Sequence, residues 1–98
     1  MPITDKQRRH LKGLAHHLNP VVIIGQNGLS ANVLNEIAIT LETHELIKVR
    51  LNAADREERS RMIEQICAAS GAELIQRIGH VGVFYLRHPK APKINLPL

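Results

Sequence analysis

A chain of 98 residues, 44% of them hydrophobic and only one of them cysteine, can build one modest core but no disulfide framework. The longest apolar stretch, Val21 to Ile24, is too short for a membrane-spanning helix, and the polar start MPITDKQRR lacks the apolar region of a signal peptide. These features predict a single cytoplasmic domain over residues 1–98. The formal net charge of +4 is uninformative until it is divided along the chain.

Thr4-Asp5-Lys6-Gln7 has the form of a capping box, so a helix is expected from about Asp5 and should end before Asn19-Pro20. Ile3, Leu11, Leu14, Ala15 and Leu18 fall on one arc of roughly 120° and should face the core, while Arg8, Arg9, Lys12 and His16 fall on a separate arc of roughly 100°. The second arc is a basic stripe. Val21 to Ile24, four β-branched residues after a proline, read as a strand buried on both faces in the middle of a sheet. After the loop Gly25-Gln26-Asn27-Gly28, Ser30 can cap a second helix, with Leu29 and Leu34 as a hydrophobic staple. Its core stripe is Val33, Leu34, Ile37, Ala38 and Leu41, ending near Thr43.

From Leu46 to Leu51 the pattern alternates. Ile47, Val49 and Leu51 face one way and Lys48 and Arg50 the other, which predicts a strand with one open, positively charged side within reach of a ligand. Asp55 and Glu58 mark a third helix running to about Ser70, with Gly71 as its stop. Ala72 to Ile78 and Val81 to Leu86 should form a hairpin through Gly79-His80, and residues 88–98, with three prolines, an extended tail. The order α-β-α-β-α-β-β predicts an α/β (α+β) fold: a four-stranded mixed sheet with helices mainly on one face.

Divided along the chain, the charge is unequal. Residues 1–24 and 79–98 carry +3 each, and the two segments between them carry −1 each. A surface for a polyanion needs this kind of concentration. With aromatic residues limited to Phe84 and Tyr85, recognition by stacking bases on exposed rings is disfavoured.

Gly25-Gln26-Asn27-Gly28 is ordinary turn chemistry by itself. Between a strand and a helix start, however, it lets a sugar-phosphate chain approach the backbone closely, where the free amides and dipole of the helix favour negative charge. Three segments in order, Gln7 to Leu18, Pro20-Val21-Val22-Ile23-Ile24-Gly25-Gln26-Asn27-Gly28-Leu29 and His44-Glu45-Leu46-Ile47-Lys48-Val49, closely resemble the bacterial YhbY-type proteins. These are stand-alone versions of the CRM (chloroplast RNA splicing and ribosome maturation) domain, and the resemblance covers essentially the whole chain. It implies a fold similar to the C-terminal domain of translation initiation factor 3, binding to RNA, association with precursors of the large ribosomal subunit, and RNA contact at Gly25, Gln26, Asn27 and Gly28. The stripe of Arg8, Arg9, Lys12 and His16 is a reading of helical spacing and agrees with that implication.

Two other readings compete. Six histidines suggest a metal or nuclease site, but no His-x-x-x-His pair or cysteine-rich ligand set occurs, and Asp55, Glu57, Glu58 and Glu64 share their helix with Arg56, Arg59 and Arg61 at pairing distance. No catalysis, metal, cofactor or small-molecule substrate is expected, and nothing demands a dimer. The other reading is a protein-interaction module docking through the segment Pro89 to Leu98.

Overall fold

The structure, a computed structural model, describes residues 3–25 and 28–98. Each helix begins at its expected cap. Thr4 Oγ1 accepts the Gln7 amide at 3.1 Å while Gln7 Oε1 accepts the Thr4 amide at 3.1 Å, which opens α1, Asp5–Ala15. Ser30 accepts the Val33 amide at 3.2 Å to open α2, Ala31–His44, and Asp55 accepts the Glu58 amide at 2.8 Å to open α3, Arg56–Ser70. Each such cap is worth about 1 kcal/mol and sets where its helix starts. The strands are β1, Pro20–Ile24; β2, Leu46–Leu51; β3, Glu73–Ile78; and β4, Val81–Tyr85, the last two joined through Gly79-His80. The α-β-α-β-α-β-β order and the mixed sheet are as read from the sequence.

The sheet order is β1-β2-β4-β3, with β1 parallel to β2 and the other pairs antiparallel. This corrects one expectation: β1 is an edge strand, not a central one. The β3–β4 hairpin takes the free side of β2, so β1 has a single neighbour. Val22 and Ile24 are buried beneath α2, while Val21 and Ile23 on the opposite face stay exposed. A run of β-branched residues is equally consistent with a strand buried on both sides and with one covered on a single side.

A second correction concerns the layers. One core joins Val22, Ile24, Ile47, Val49, Leu51 and Phe84 of the sheet to Ile37 and Leu41 of α2 and Met62, Ile63 and Ile66 of α3. A second core, on the other face, joins Leu46, Ile75, Val83 and Tyr85 to Leu11 and Ala15 of α1 and to Ile94 and Leu96. Two of the three helices, α2 and α3, share one face as expected, and the correction is that α1 lies alone on the other. The reason lies in β4, whose Val83 and Tyr85 point one way and Phe84 the other, so that it needs cover on both sides. Gly82 admits the Phe84 ring, since a Cβ there would meet Phe84 Cε2 at 2.8 Å. Three predicted core positions do not reach either cluster: Leu14 on α1, Leu18 just beyond it and Ala38 on α2 are exposed.

The segment beyond β4 is folded back onto the domain, not a free extended tail. Its anchor is Glu45, a fully buried residue at positive φ (62°) just past α2. Its carboxylate accepts the amides of His88 at 2.8 Å, Lys93 at 2.6 Å and Ile94 at 2.8 Å. Burial pushes this carboxyl up, but the three amide donors and the nearby His88 outweigh it and hold the group below the usual carboxylate range.

Candidate nucleic-acid interface

The glycine loop leaves β1 at Ile24 and closes with the Gly28 amide donating to the Gly25 carbonyl at 3.1 Å. Gly28 has φ +71°, a conformation in which a side chain is strained. Gly25 is exposed, and a Cβ added at either glycine would meet nothing within 4 Å. No packing within the chain explains the missing side chain at Gly25. Gln26 and Asn27, the two central residues of the expected contact, lie outside the described residues.

The loop delivers the chain to the start of α2, and there the charges differ from those of the other helices. Asp5 stands in the first turn of α1, and Glu57 and Glu58 in that of α3, where each offsets the positive end of the helix dipole. The first turn of α2 has no acidic residue. Its positive end faces the loop uncompensated, an arrangement that favours an anion at Gly28 to Ser30.

The basic stripe of α1 divides in two. Arg9, Lys12 and His16 are exposed, and His16 meets the His17 ring edge-on at 5.4 Å between centroids. Arg8, expected to belong with them, is a brace instead. Its Nη1 donates to the carbonyls of Leu74 at 2.6 Å and Ile75 at 3.1 Å, where β3 bulges, and its Nη2 lies 3.9 Å from Glu73. A register shift in an edge strand leaves carbonyls that need a donor, and Arg8 supplies two N–H groups. Its place next to Ala15, about 20° away on the helical wheel, is the signal that could have revealed this.

Lys48 and Arg50 project from β2 on the α1 side of the sheet, as expected, Lys48 half-buried and Arg50 exposed with Nε 3.2 Å from Asn52 Oδ1. Beside them lies a strip that reading for charge passed over. Val21 (48% exposed) and Ile23 (62%) of β1 face the same way as Lys48 and Arg50, and Leu14 (41%) and Leu18 (37%) of α1 continue the strip. Between α1 and the β1–β2 edge runs an open groove of about 580 Å³ whose lining includes Leu14, His17, Leu18, Val21, His44 and Lys48. Alternation of exposure along β1 would have exposed the strip in the sequence, had the strand been placed at an edge.

The two basic ends of the chain come together. Ile3, Leu11 and Ala15 pack with Ile94 and Leu96, and Gln7 Nε2 donates to the Pro97 carbonyl at 3.0 Å. Lys93, however, spends its ammonium on the Thr43 carbonyl at 2.6 Å, near the end of α2. The arginines of α3 do not pair with its carboxylates as expected; among the described residues the ion pair is that of Arg8 with Glu73. Arg59 turns instead to His80 Nδ1 at 3.3 Å. Burial pushes the half-buried Cys67 thiol up, away from thiolate reactivity. No group of three His, Cys, Asp or Glu among the described residues is placed to hold a metal ion, and no helix among them is long and apolar enough to cross a membrane.

Comparison with known proteins gives a consistent result. The sequence model of the CRS1 / YhbY (CRM) domain matches residues 3–86. An RNA-binding protein of Haemophilus influenzae is 50% identical over 95 residues, covering 97% of this chain and 95% of the relative. A protein of Pseudomonas aeruginosa named as a probable RNA-binding protein is 42% identical over 96 residues, covering 98% of this chain and 91% of the relative. The solution structure of a Staphylococcus aureus protein, described as a candidate RNA-binding protein, superposes with a TM-score of 0.83 at 35% identity, covering 98% of this chain and 100% of that one.

Proposed function

The chain belongs to the CRS1/YhbY (CRM) domain family, and on that premise we propose that it is a non-catalytic RNA-binding protein whose ligand is ribosomal RNA in precursors of the large ribosomal subunit. The observation that carries the reading is the pairing of an open glycine loop at an uncompensated helix start with exposed cations. Gly25 and Gly28 leave free space over the backbone, α2 presents its positive end, and Arg9, Lys12 and Arg50 supply charge, with the His16 ring exposed beside them. A sugar-phosphate chain takes all three at once: close approach, amide donors and positive potential. Gln26 and Asn27 complete the contact in this reading. Arg8 contributes indirectly, by fixing α1 against β3. Binding goes through phosphates and shape, so hairpins of unrelated base sequence should differ little in affinity.

The segment Pro89 to Leu98 is tied to the domain through Glu45 and packs Ile94 and Leu96 against α1, while residues 89–93 and Leu98 stay exposed. Titration of ribosomal RNA at two salt concentrations tests the proposal. Each neutralised phosphate steepens the fall of log affinity with log salt by about 0.7 to 0.9. An affinity indifferent to salt would overturn phosphate binding. Sedimentation on a sucrose gradient tests the particle: the proposal requires migration with large-subunit precursors, and purely free protein would remove the ribosomal part.

A further inference from the structure

We propose that the aliphatic strip of Val21, Ile23, Leu14 and Leu18 receives unpaired nucleobases, so that the preferred ligand is RNA with single-stranded or looped nucleotides beside its phosphate contacts. The inference rests on the RNA-binding reading and narrows its substrate class.

Val21 and Ile23 are the β-branched aliphatics of β1 that the chain covers only in part, leaving about half of their surface in water. Leaving them bare costs free energy that burial against a partner recovers. Their surroundings restrict the partner. Ile23 lies opposite Arg50 in the β1–β2 register and Pro20 opposite Lys48, and the groove beside them is lined by His17, His44 and Lys48 with no carboxylate. The surface is therefore apolar in its middle and cationic at its rim, which complements a ligand with flat apolar faces and a negative backbone.

Position gives the same answer. Ile23 is followed by Ile24 and then Gly25, so the strip runs straight into the loop where the phosphates are placed. A strand of RNA whose backbone crosses the loop has its bases within reach of the strip on one side. Base faces bury well against aliphatic side chains, and the Arg50 guanidinium can stack on them from the adjacent strand. A continuous duplex keeps its base faces stacked internally and cannot make this contact.

The test uses the full chain, a hairpin RNA with an unpaired loop, and a fully paired RNA of equal phosphate number. The double variant Val21→Thr/Ile23→Thr keeps β-branched, exposed residues, and its thermal unfolding should match wild type. Wild type should prefer the looped RNA, and the variant should lose about fivefold of that affinity while its duplex binding and its salt slope stay unchanged. A variant that keeps the full preference for the looped RNA would overturn the inference and leave the strip to a protein partner, as would equal losses on both RNAs. Wild-type protein that binds neither RNA would bring down the RNA reading itself, and this inference with it.

Discussion

The two faces of the sheet are built by different means. Against α2 and α3 the core is larger and apolar, with Ile24, Ile37, Leu41, Val49, Leu51, Ile66 and Phe84 out of reach of water, and polar contact is confined to the rim, where Arg77 of β3 donates to Ser60 and to the Arg56 carbonyl of α3. Against α1 the apolar cluster is smaller and is supplemented by polar anchors: Arg8 on the bulge of β3, Glu45 on the amides of residues 88, 93 and 94, and Gln7 on Pro97. The first face stops at its own boundary, whereas the second ends in an exposed strip next to the glycine loop. The α2–α3 side buries the larger core, and the α1 side is the one that borders the exposed strip.

The largest effect should come from the closed face. Phe84→Ala removes a fully buried ring and should cost about 4 kcal/mol in thermal or denaturant unfolding, with RNA affinity intact wherever the protein remains folded. A loss of binding in the folded variant would show that the faces are not separable. Next is Glu45→Gln, which weakens a charged acceptor shared by three amides and should cost about 3 kcal/mol. The folded-state carboxyl is held below its unfolded value, so its stabilisation is present at neutral pH and is lost as pH falls through the folded value. Wild type should show an added loss of stability below about pH 4 that the glutamine variant lacks. Parallel acid limbs in the two proteins would refute the anchor.

On the open face the effects should move from stability to binding. Gly25→Leu meets no neighbour, so its melting temperature should equal wild type while RNA affinity falls by about tenfold. Gly28→Leu should weaken binding as well but also cost about 1 kcal/mol of stability, because its φ is positive. Normal RNA binding by Gly25→Leu would end the idea that a sugar-phosphate chain lies close against the loop. The smallest effect distinguishes neighbours in the sequence: Arg9→Gln with Lys12→Gln should reduce the salt slope by about 1.5 and leave unfolding unchanged. Arg8→Gln should do the reverse, lowering stability by about 1 kcal/mol with little change in slope.

Local chemistry carried most of the fold into view. Caps at Thr4, Ser30 and Asp55, the Gly71 stop and the Gly79-His80 turn depend on residues a few positions apart, and all are where spacing puts them. What escaped depends on partners far away in the chain. Whether β1 is central or at an edge is decided by the hairpin of residues 73–85. Glu45 gives no local hint of its role, since its donors come 43 to 49 residues later, and Arg8 meets Leu74 across 66 residues. The charges assigned to the candidate interface at Arg9, Lys12 and Arg50 could be read from the sequence because they are exposed residues at regular spacing on one helix and one strand. The aliphatic part was hidden by the reasonable assumption that four β-branched residues in a row are buried.

An uncovered edge strand with bare aliphatics is also a template on which a second copy could zip. Several features of β1 oppose that. It is only five residues long, Pro20 withholds an amide at its start, and Lys48 and Arg50 on the adjoining strand would set like charges on both sides of such a seam. The cations assigned to polyanion binding in the proposed function would thus also oppose pairing between copies of the protein. Neutralising both should produce a protein that binds RNA more weakly and also clumps at concentrations where wild type stays dispersed.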